Sequence, residues 1–322
     1  MLELRKIKFR FQQFGGLRMV KTYAKMGVLH FVIWETVKVL FSKRPLKEAY
    51  PVISQRILPI LQNQYRPLLK HLAEKYDKQN LQHKKNDVVY SSWIQGMDNA
   101  PDLVKVCMVS RKKYIPNKTF VVITNDNIHD YVQFPNYIEE KYKRGIIPYS
   151  HATDLLRLEL LINYGGTWID STVFVTNNNY PKEMLDSDLF LYHFQNNKEE
   201  KFSGISNWFI SSYSNNKLLL ILRDMLYQYW KDYDCLIDYF VFHKFFWMIE
   251  EELPEEAASI PLYSSYDALQ MALQLDKPYN DTIMNKITSS SSFHKLDYRK
   301  NNKTTSTGEK TFYAHIIENY AK

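Results

Sequence analysis

Between Tyr149 and Tyr164 the sequence reads YSHATDLLRLELLINY, followed at once by Gly165-Gly166-Thr167-Trp168-Ile169-Asp170-Ser171-Thr172. This stretch restricts the fold more than any other. Leu155, Leu156, Leu158, Leu160, Leu161 and Ile162 cover most of the circumference of a helix, which must therefore be buried on several sides. Asp154 and Arg157 then stand out: three residues apart on one face they can touch, and a buried charge is costly unless it is paired or used by a ligand. The two glycines end the helix, and the Thr-Trp-Ile after them reads as a short buried strand. Asp170 thus falls at the C-terminal end of a strand, where open α/β sheets hold their ligands. A helix of this kind feeding a Gly-Gly turn and a carboxylate suits a sugar-nucleotide site.

The rest of the chain fits that frame. A helix is predicted over Gln55 to Lys78 and a polar linker over Gln79 to Asn86. Strands follow at Val88 to Ile94 and Thr119 to Thr124, separated by a helix over Pro101 to Tyr114. Pro135 to Lys143 gives a short helix. Further strands are expected at Thr172 to Val175, Leu189 to Phe194 and Trp208 to Ser212. Helices are expected over Lys217 to Tyr229, Cys235 to Glu250 and Tyr266 to Leu275, and a Ser-rich, then Asn/Lys/Thr-rich loop over Ser289 to Lys310. Strands alternating with helices argue for an α/β fold with a mostly parallel sheet. At 322 residues the chain can bury a sizeable core. Cys107 and Cys235 lack any metal-ligand spacing and read as buried thiols.

The charge is concentrated at one end. Residues 1 to 49 hold eleven Lys or Arg against Glu3, Glu35 and Glu48, whereas the remainder is nearly balanced at 31 basic to 32 acidic. Aromatic and aliphatic residues interleave with these charges, from Phe9 to Phe41. Basic and aromatic together favour an anionic membrane surface over nucleic acid. The most apolar part, Gly27 to Phe41, is interrupted by Glu35 and Lys38 and is too short to span a bilayer at roughly 20 residues per crossing. No small-residue cleavage site of a secretory signal follows it. The plain alternative is a helical hairpin packed on the body with a solvated basic face. Residues 1–86 are therefore expected to form a helical, basic appendage, and 87–322 the main domain.

Read from Val88 to Tyr239, the chain resembles the bacterial capsular polysaccharide synthesis glycosyltransferases, relatives of the α-1,6-mannosyltransferases and more distantly of the glucosylating clostridial toxins. The resemblance rests on Val89-Tyr90-Ser91-Ser92-Trp93-Ile94-Gln95-Gly96 with Ala100-Pro101, on Thr153-Asp154-Leu155-Leu156-Arg157, and on Tyr164-Gly165-Gly166-Thr167-Trp168-Ile169-Asp170. Asn207-Trp208-Phe209 and Ile237-Asp238-Tyr239-Phe240 match more loosely. It implies a GT-A (Rossmann-like) domain and a retaining hexosyltransferase that takes a nucleoside-diphosphate sugar, a UDP-sugar by preference. The acceptor would be a glycan or a lipid-linked molecule, on the cytoplasmic face of the membrane. This sequence departs from the DXD motif of such enzymes: its second acid is replaced by Thr172. A carboxylate brings charge and up to two oxygens to a hard cation, and a threonine hydroxyl one neutral oxygen.

The resemblance also assigns roles. Trp93 would stack on the base of the donor, with a core tryptophan as the alternative. Asp154 and Arg157 would hold donor sugar hydroxyls, a bidentate task suited to a guanidinium and a carboxylate, with Trp168 and Asn207 beside them; a structural ion pair is the alternative. Asp170 would bind Mn²⁺ or Mg²⁺ on the diphosphate, joined by Thr172 and by His315, which resembles the late histidine of many such enzymes. Asp238 would be a catalytic acid near the acceptor, although a satisfied core carboxylate would look the same. A non-catalytic sugar-nucleotide-binding assembly protein and a metal-independent transferase are the rival functions.

Overall fold

The computed structural model describes residues 15–42, 48–194 and 204–320. In chain order its helices and strands are α1 (Leu17–Lys25), α2 (Leu29–Phe41), α3 (Ala49–Asp77), β1 (Val88–Ser92), α4 (Asp102–Tyr114), β2 (Thr119–Ile123), α5 (Ile128–Tyr131), α6 (Asn136–Lys143), α7 (Tyr149–Tyr164) and β3 (Gly166–Ile169). They continue as β4 (Val173–Val175), β5 (Leu189–His193), β6 (Ile205–Ser212), α8 (Lys217–Asp232), α9 (Val241–Glu252), α10 (Pro254–Ala258), α11 (Tyr266–Gln274), α12 (Asp281–Ser290), β7 (Phe293–Lys295) and α13 (Phe312–Tyr320). The chain divides into two compact units, one formed by residues 1–80, 133–156 and 217–257, the other by 81–132, 157–216 and 258–322.

The second unit contains both sheets. Its five-stranded sheet has the order β2-β1-β3-β6-β5. β2, β1 and β3 run parallel, and β6 is antiparallel to both β3 and β5, so four of the five strands share one direction. Buried aromatic and branched side chains, among them Ile169, Val173, Phe190, Phe209 and Phe293, fill one core cluster of this unit. Leu103, Val106 and Cys107 of α4 join Phe174, Met271, Phe312 and Ile316 in a second.

The turn from α7 into β3 can be made only by glycine. Gly165 and Gly166 have φ of 69° and 106°, a region that side chains with a Cβ rarely adopt. A Cβ on Gly165 would stand 2.7 Å from the Lys84 carbonyl oxygen, and one on Gly166 2.5 Å from that of Val88. The glycines therefore let the strand enter the sheet directly beside β1.

The first unit is helical. α3 buries Ile53, Ile57, Leu61, Tyr65, Leu69 and Leu72 at one-turn spacing, and the Tyr65 ring lies 4.9 Å from that of Phe245 in α9. α1 and α2 are two short helices joined through Gly27 at φ 70°. Arg5, Lys6, Lys8, Arg10, Lys43, Arg44 and Lys47 lie outside the described residues. No helix among the described residues is long and apolar enough to cross a membrane. The segment ending at Asn80 shares its unit with 133–156 and 217–257.

Two local expectations are corrected. The helix expected over Cys235 to Glu250 begins only at Val241, because the Asp238 carboxylate accepts the Phe240 N–H at 2.7 Å and turns the chain just before it. The loop expected over Ser289 to Lys310 holds the end of α12 and all of β7; β7 pairs antiparallel with β4, a tertiary partner its composition does not announce.

Candidate functional site

β1 and β3 run side by side with Tyr90 level with Trp168, so Ser92 and Asp170 reach the same carboxyl edge of the sheet. Asp170 is anchored by its own backbone, whose N–H donates to the Trp208 carbonyl at 2.8 Å. Its side chain is engaged on both oxygens. Oδ1 accepts from the Trp168 indole N–H at 2.8 Å and from Arg157 at 3.3 Å. Oδ2 accepts from Lys295 Nζ at 2.6 Å, and the same ammonium donates to Thr172 Oγ1 at 2.8 Å. The Arg157 guanidinium also lies 5.1 Å from the Trp168 ring centroid. Burial alone would raise the pKa of Asp170; the positive charges of Lys295 and Arg157, with the hydrogen bonds from Lys295 and Trp168, outweigh it and hold the carboxyl below its ordinary value. The group is therefore an anion at neutral pH.

Arg111, like Lys295, is a residue that sequence reasoning missed. It lies on α4, fully buried. Its guanidinium donates to the carbonyls of Ile169 at 3.2 Å, Asp170 and Val173 at 3.1 Å, and to Ser91 Oγ. Burial lowers its pKa to about 10, so it stays charged at neutral pH. It fixes the turn that carries Asp170 while pointing its charge at the back of the site. Followed by Lys112 and Lys113 in the last turn of α4, it looks in sequence like one more solvated cation favoured at a helix C-terminus.

The other predicted residues are spread over both units. Trp93, just past β1, is half-buried, with the Tyr298 ring edge-on at 5.6 Å and its indole N–H buried without a partner. Asn207 is half-buried on β6, next to the Trp208 whose carbonyl holds Asp170. His315, on α13, is stacked on Tyr279 with ring centroids 3.6 Å apart and planes 7° from parallel. Asp154 and Asp238 belong to the other unit, both buried. Asp238 accepts from Tyr50 at 2.8 Å, Ser54 at 2.5 Å and Lys244, so its carboxylate ties α3 to the start of α9. Neither cysteine is in a disulfide and both are buried, and burial raises the Cys107 thiol to about 12.

The motif implies a divalent cation between Asp170 and Thr172. That space is taken: Lys295 Nζ is within hydrogen-bond distance of both oxygens. Among the described residues no group of three or more His, Cys, Asp or Glu side chains is arranged to hold a metal ion. With Asp170 Oδ2 and Thr172 Oγ1 both turned to an ammonium, a divalent cation there would have to displace Lys295 and would meet one carboxylate where the motif supplies two. The two oxygens do fit an ammonium.

Fold and site define an α/β protein with a cluster of charged side chains at the carboxyl edge of a mostly parallel sheet. The chain belongs to the family of capsular polysaccharide synthesis proteins, whose pattern it matches over residues 38–316. No curated protein matches it. Seven chains of solved structures do. One of these, described as PaToxG glycosyltransferase, is 14% identical over 62% of this chain and 80% of that one, with a TM-score of 0.37, a level at which it carries no argument about this protein.

Proposed function

We propose that this chain is a retaining GT-A glycosyltransferase that moves a hexose from a nucleoside-diphosphate sugar, a UDP-sugar by preference, to a glycan or lipid-linked acceptor in polysaccharide synthesis. Family membership supports the pathway. The observation that carries the chemistry is Asp170, an anion at the ligand edge of the sheet, held by Arg157, Trp168 and Lys295 and with 23% of its side chain still accessible. In the reaction the bond from the anomeric carbon to the donor phosphate breaks and its electron pair leaves with the nucleoside diphosphate. The acceptor hydroxyl oxygen forms the new bond and its proton passes to the leaving diphosphate. Charge grows on the leaving diphosphate, so fixed cations at this edge stabilise the transition state more than the ground state. In this reading Trp93 stacks on the base, Arg157 faces the sugar hydroxyls, and Asp170 holds Arg157 and Lys295 in place.

The same proposal puts the protein on an anionic membrane surface. On α2, Ile33, Trp34, Val37, Leu40 and Phe41 are all exposed, and at 3.6 residues per turn they share one face about 120° wide. Exposed Arg18 and Lys21 on α1 add positive charge nearby in sequence. Basic and apolar faces together match a lipid surface of negative charge.

The test is release of nucleoside diphosphate from a panel of UDP- and GDP-hexoses by the full chain, with Asp170→Ala as control. Turnover of one donor, lost by on the order of 100-fold or more in the variant, is expected. Equal turnover in the variant would remove Asp170 from the site. Failure of every donor to turn over or bind would overturn the transferase reading.

A further inference from the structure

We propose that Lys295 replaces the divalent cation of this site and binds the donor diphosphate directly, so that donor binding and transfer need no metal. The inference rests on the nucleoside-diphosphate-sugar reading above and concerns how its charge is met.

The first ground is position. β7 pairs with β4 so that Lys295 is level with Val173, and the Leu296 N–H donates to the Thr172 carbonyl at 2.9 Å. This register delivers Nζ to the point between Asp170 Oδ2 and Thr172 Oγ1 that a motif-bound cation would occupy.

The second ground is charge. Two carboxylates and a divalent ion sum to zero. One carboxylate, one hydroxyl and one ammonium also sum to zero. Thr172 and Lys295 are thus complementary changes: with a second acid at 172 the ammonium would leave the site negative, and with Thr172 a divalent ion would lack a ligand. Arg157 adds a further positive charge on the other oxygen of Asp170, leaving the site suited to an anion.

The third ground is unused bonding capacity. An ammonium has three N–H donors and no acceptor. Asp170 and Thr172 take two, and no third partner stands among the described residues. The side chain keeps 25% of its surface accessible, beside an Asp170 side chain accessible to 23%. A phosphate oxygen is the partner that a charged donor at the ligand edge of a sheet would take, as a point charge.

The experiment is calorimetric titration of the full chain with UDP and, separately, GDP, in EDTA and again with excess Mn²⁺. Binding in EDTA that Mn²⁺ does not improve is expected. Lys295→Met should weaken it by about 10- to 100-fold, the loss of one charge-assisted contact, while Lys295→Arg should retain most of it. Melting curves show whether each variant is folded; should Lys295→Met not fold, the metal dependence of the unaltered chain decides. Binding that appears only with Mn²⁺, or unchanged binding by folded Lys295→Met, overturns the role of Lys295 and leaves the transferase reading standing. No binding of either nucleotide under any condition removes the nucleotide-sugar reading, and the proposal with it.

Discussion

Lys295 reaches Asp170 with Nζ 2.6 Å from Oδ2, although the two residues are 125 positions apart in the chain. The contact depends on a ribbon of two three-residue strands, β4 and β7, that lies outside the five-stranded sheet. The site thus has two supports: the central sheet carries Asp170 and Trp168, and the ribbon carries the cation. Arg111 joins them, bonding to Ile169 at the end of β3 and to Val173 at the start of β4.

That joint gives the first prediction. Arg111→Met removes the donors to three carbonyls in a buried place and should cost about 3–5 kcal/mol of stability, the range for stranding buried polar groups of a charged cluster. Donor KM should rise in the fraction that remains folded, since the turn of Asp170 is no longer fixed. Urea unfolding and initial rates measure the two effects; a variant as stable as the parent would show that the guanidinium is dispensable.

Asp238 yields a different outcome. Burial alone would raise its pKa, but Lys244 and the hydrogen bonds from Lys244, Ser54 and the Phe240 N–H hold it below the ordinary value. Such a carboxylate contributes stability that is present above its unfolded pKa, near 4, and lost as pH falls below that. Asp238→Asn should destabilise the protein at pH 7 by about 3–5 kcal/mol by removing the charge opposite Lys244, with specific activity preserved. The double variant Asp238→Asn/Lys244→Met should recover part of the loss. An inactive Asp238→Asn of unchanged stability would instead make Asp238 a catalytic residue.

His294, next to Lys295 on β7, sets a pH dependence. It is fully buried, and burial lowers its pKa to about 3. Between the ordinary value near 6.5 and 3 the unfolded chain binds a proton that the folded chain refuses. Stability from this group is therefore complete above about pH 6.5 and falls with pH by about 1.4 kcal/mol per unit. Comparing urea midpoints at pH 7 and pH 5 in the parent and in His294→Gln, the variant should show the shallower loss. Identical slopes would mean that His294 does not titrate as described.

Vesicle binding tests the α2 face. Trp34 is 66% and Phe41 85% exposed. Each Lys or Arg near an anionic surface contributes about 1 kcal/mol, screened by salt. Binding should need anionic lipid, weaken as salt rises, and lose its salt-resistant part in Trp34→Ser/Phe41→Ser. Equal binding of parent and variant at high salt would place those side chains away from the lipid.

Part of this was legible in the sequence. α7, the Gly-Gly turn and the strand-end position of Asp170 could be read because an all-round apolar helix, two glycines and a three-residue buried run each permit few alternatives. The contact of Arg157 with Asp170 could not: it is made by the return of β3 rather than by helical spacing. Lys295 was hidden because β7 is a strand only by virtue of β4, inside a stretch rich in Ser, Asn and Lys. His315 fitted a sequence position, and its stacking on Tyr279 is a tertiary contact that no motif announces.

The ribbon also sets an order of events during synthesis. Asp170, Arg157 and Trp168 leave the ribosome long before residues 293–295, so a nascent chain holds the acid without its ammonium. A slip of one residue in β7 would turn Lys295 to the opposite side of the ribbon. The charge of the site is therefore completed late and in a single register, and a chain interrupted before β7 would carry every motif from Val89 to Asp238 yet lack the cation that meets Asp170.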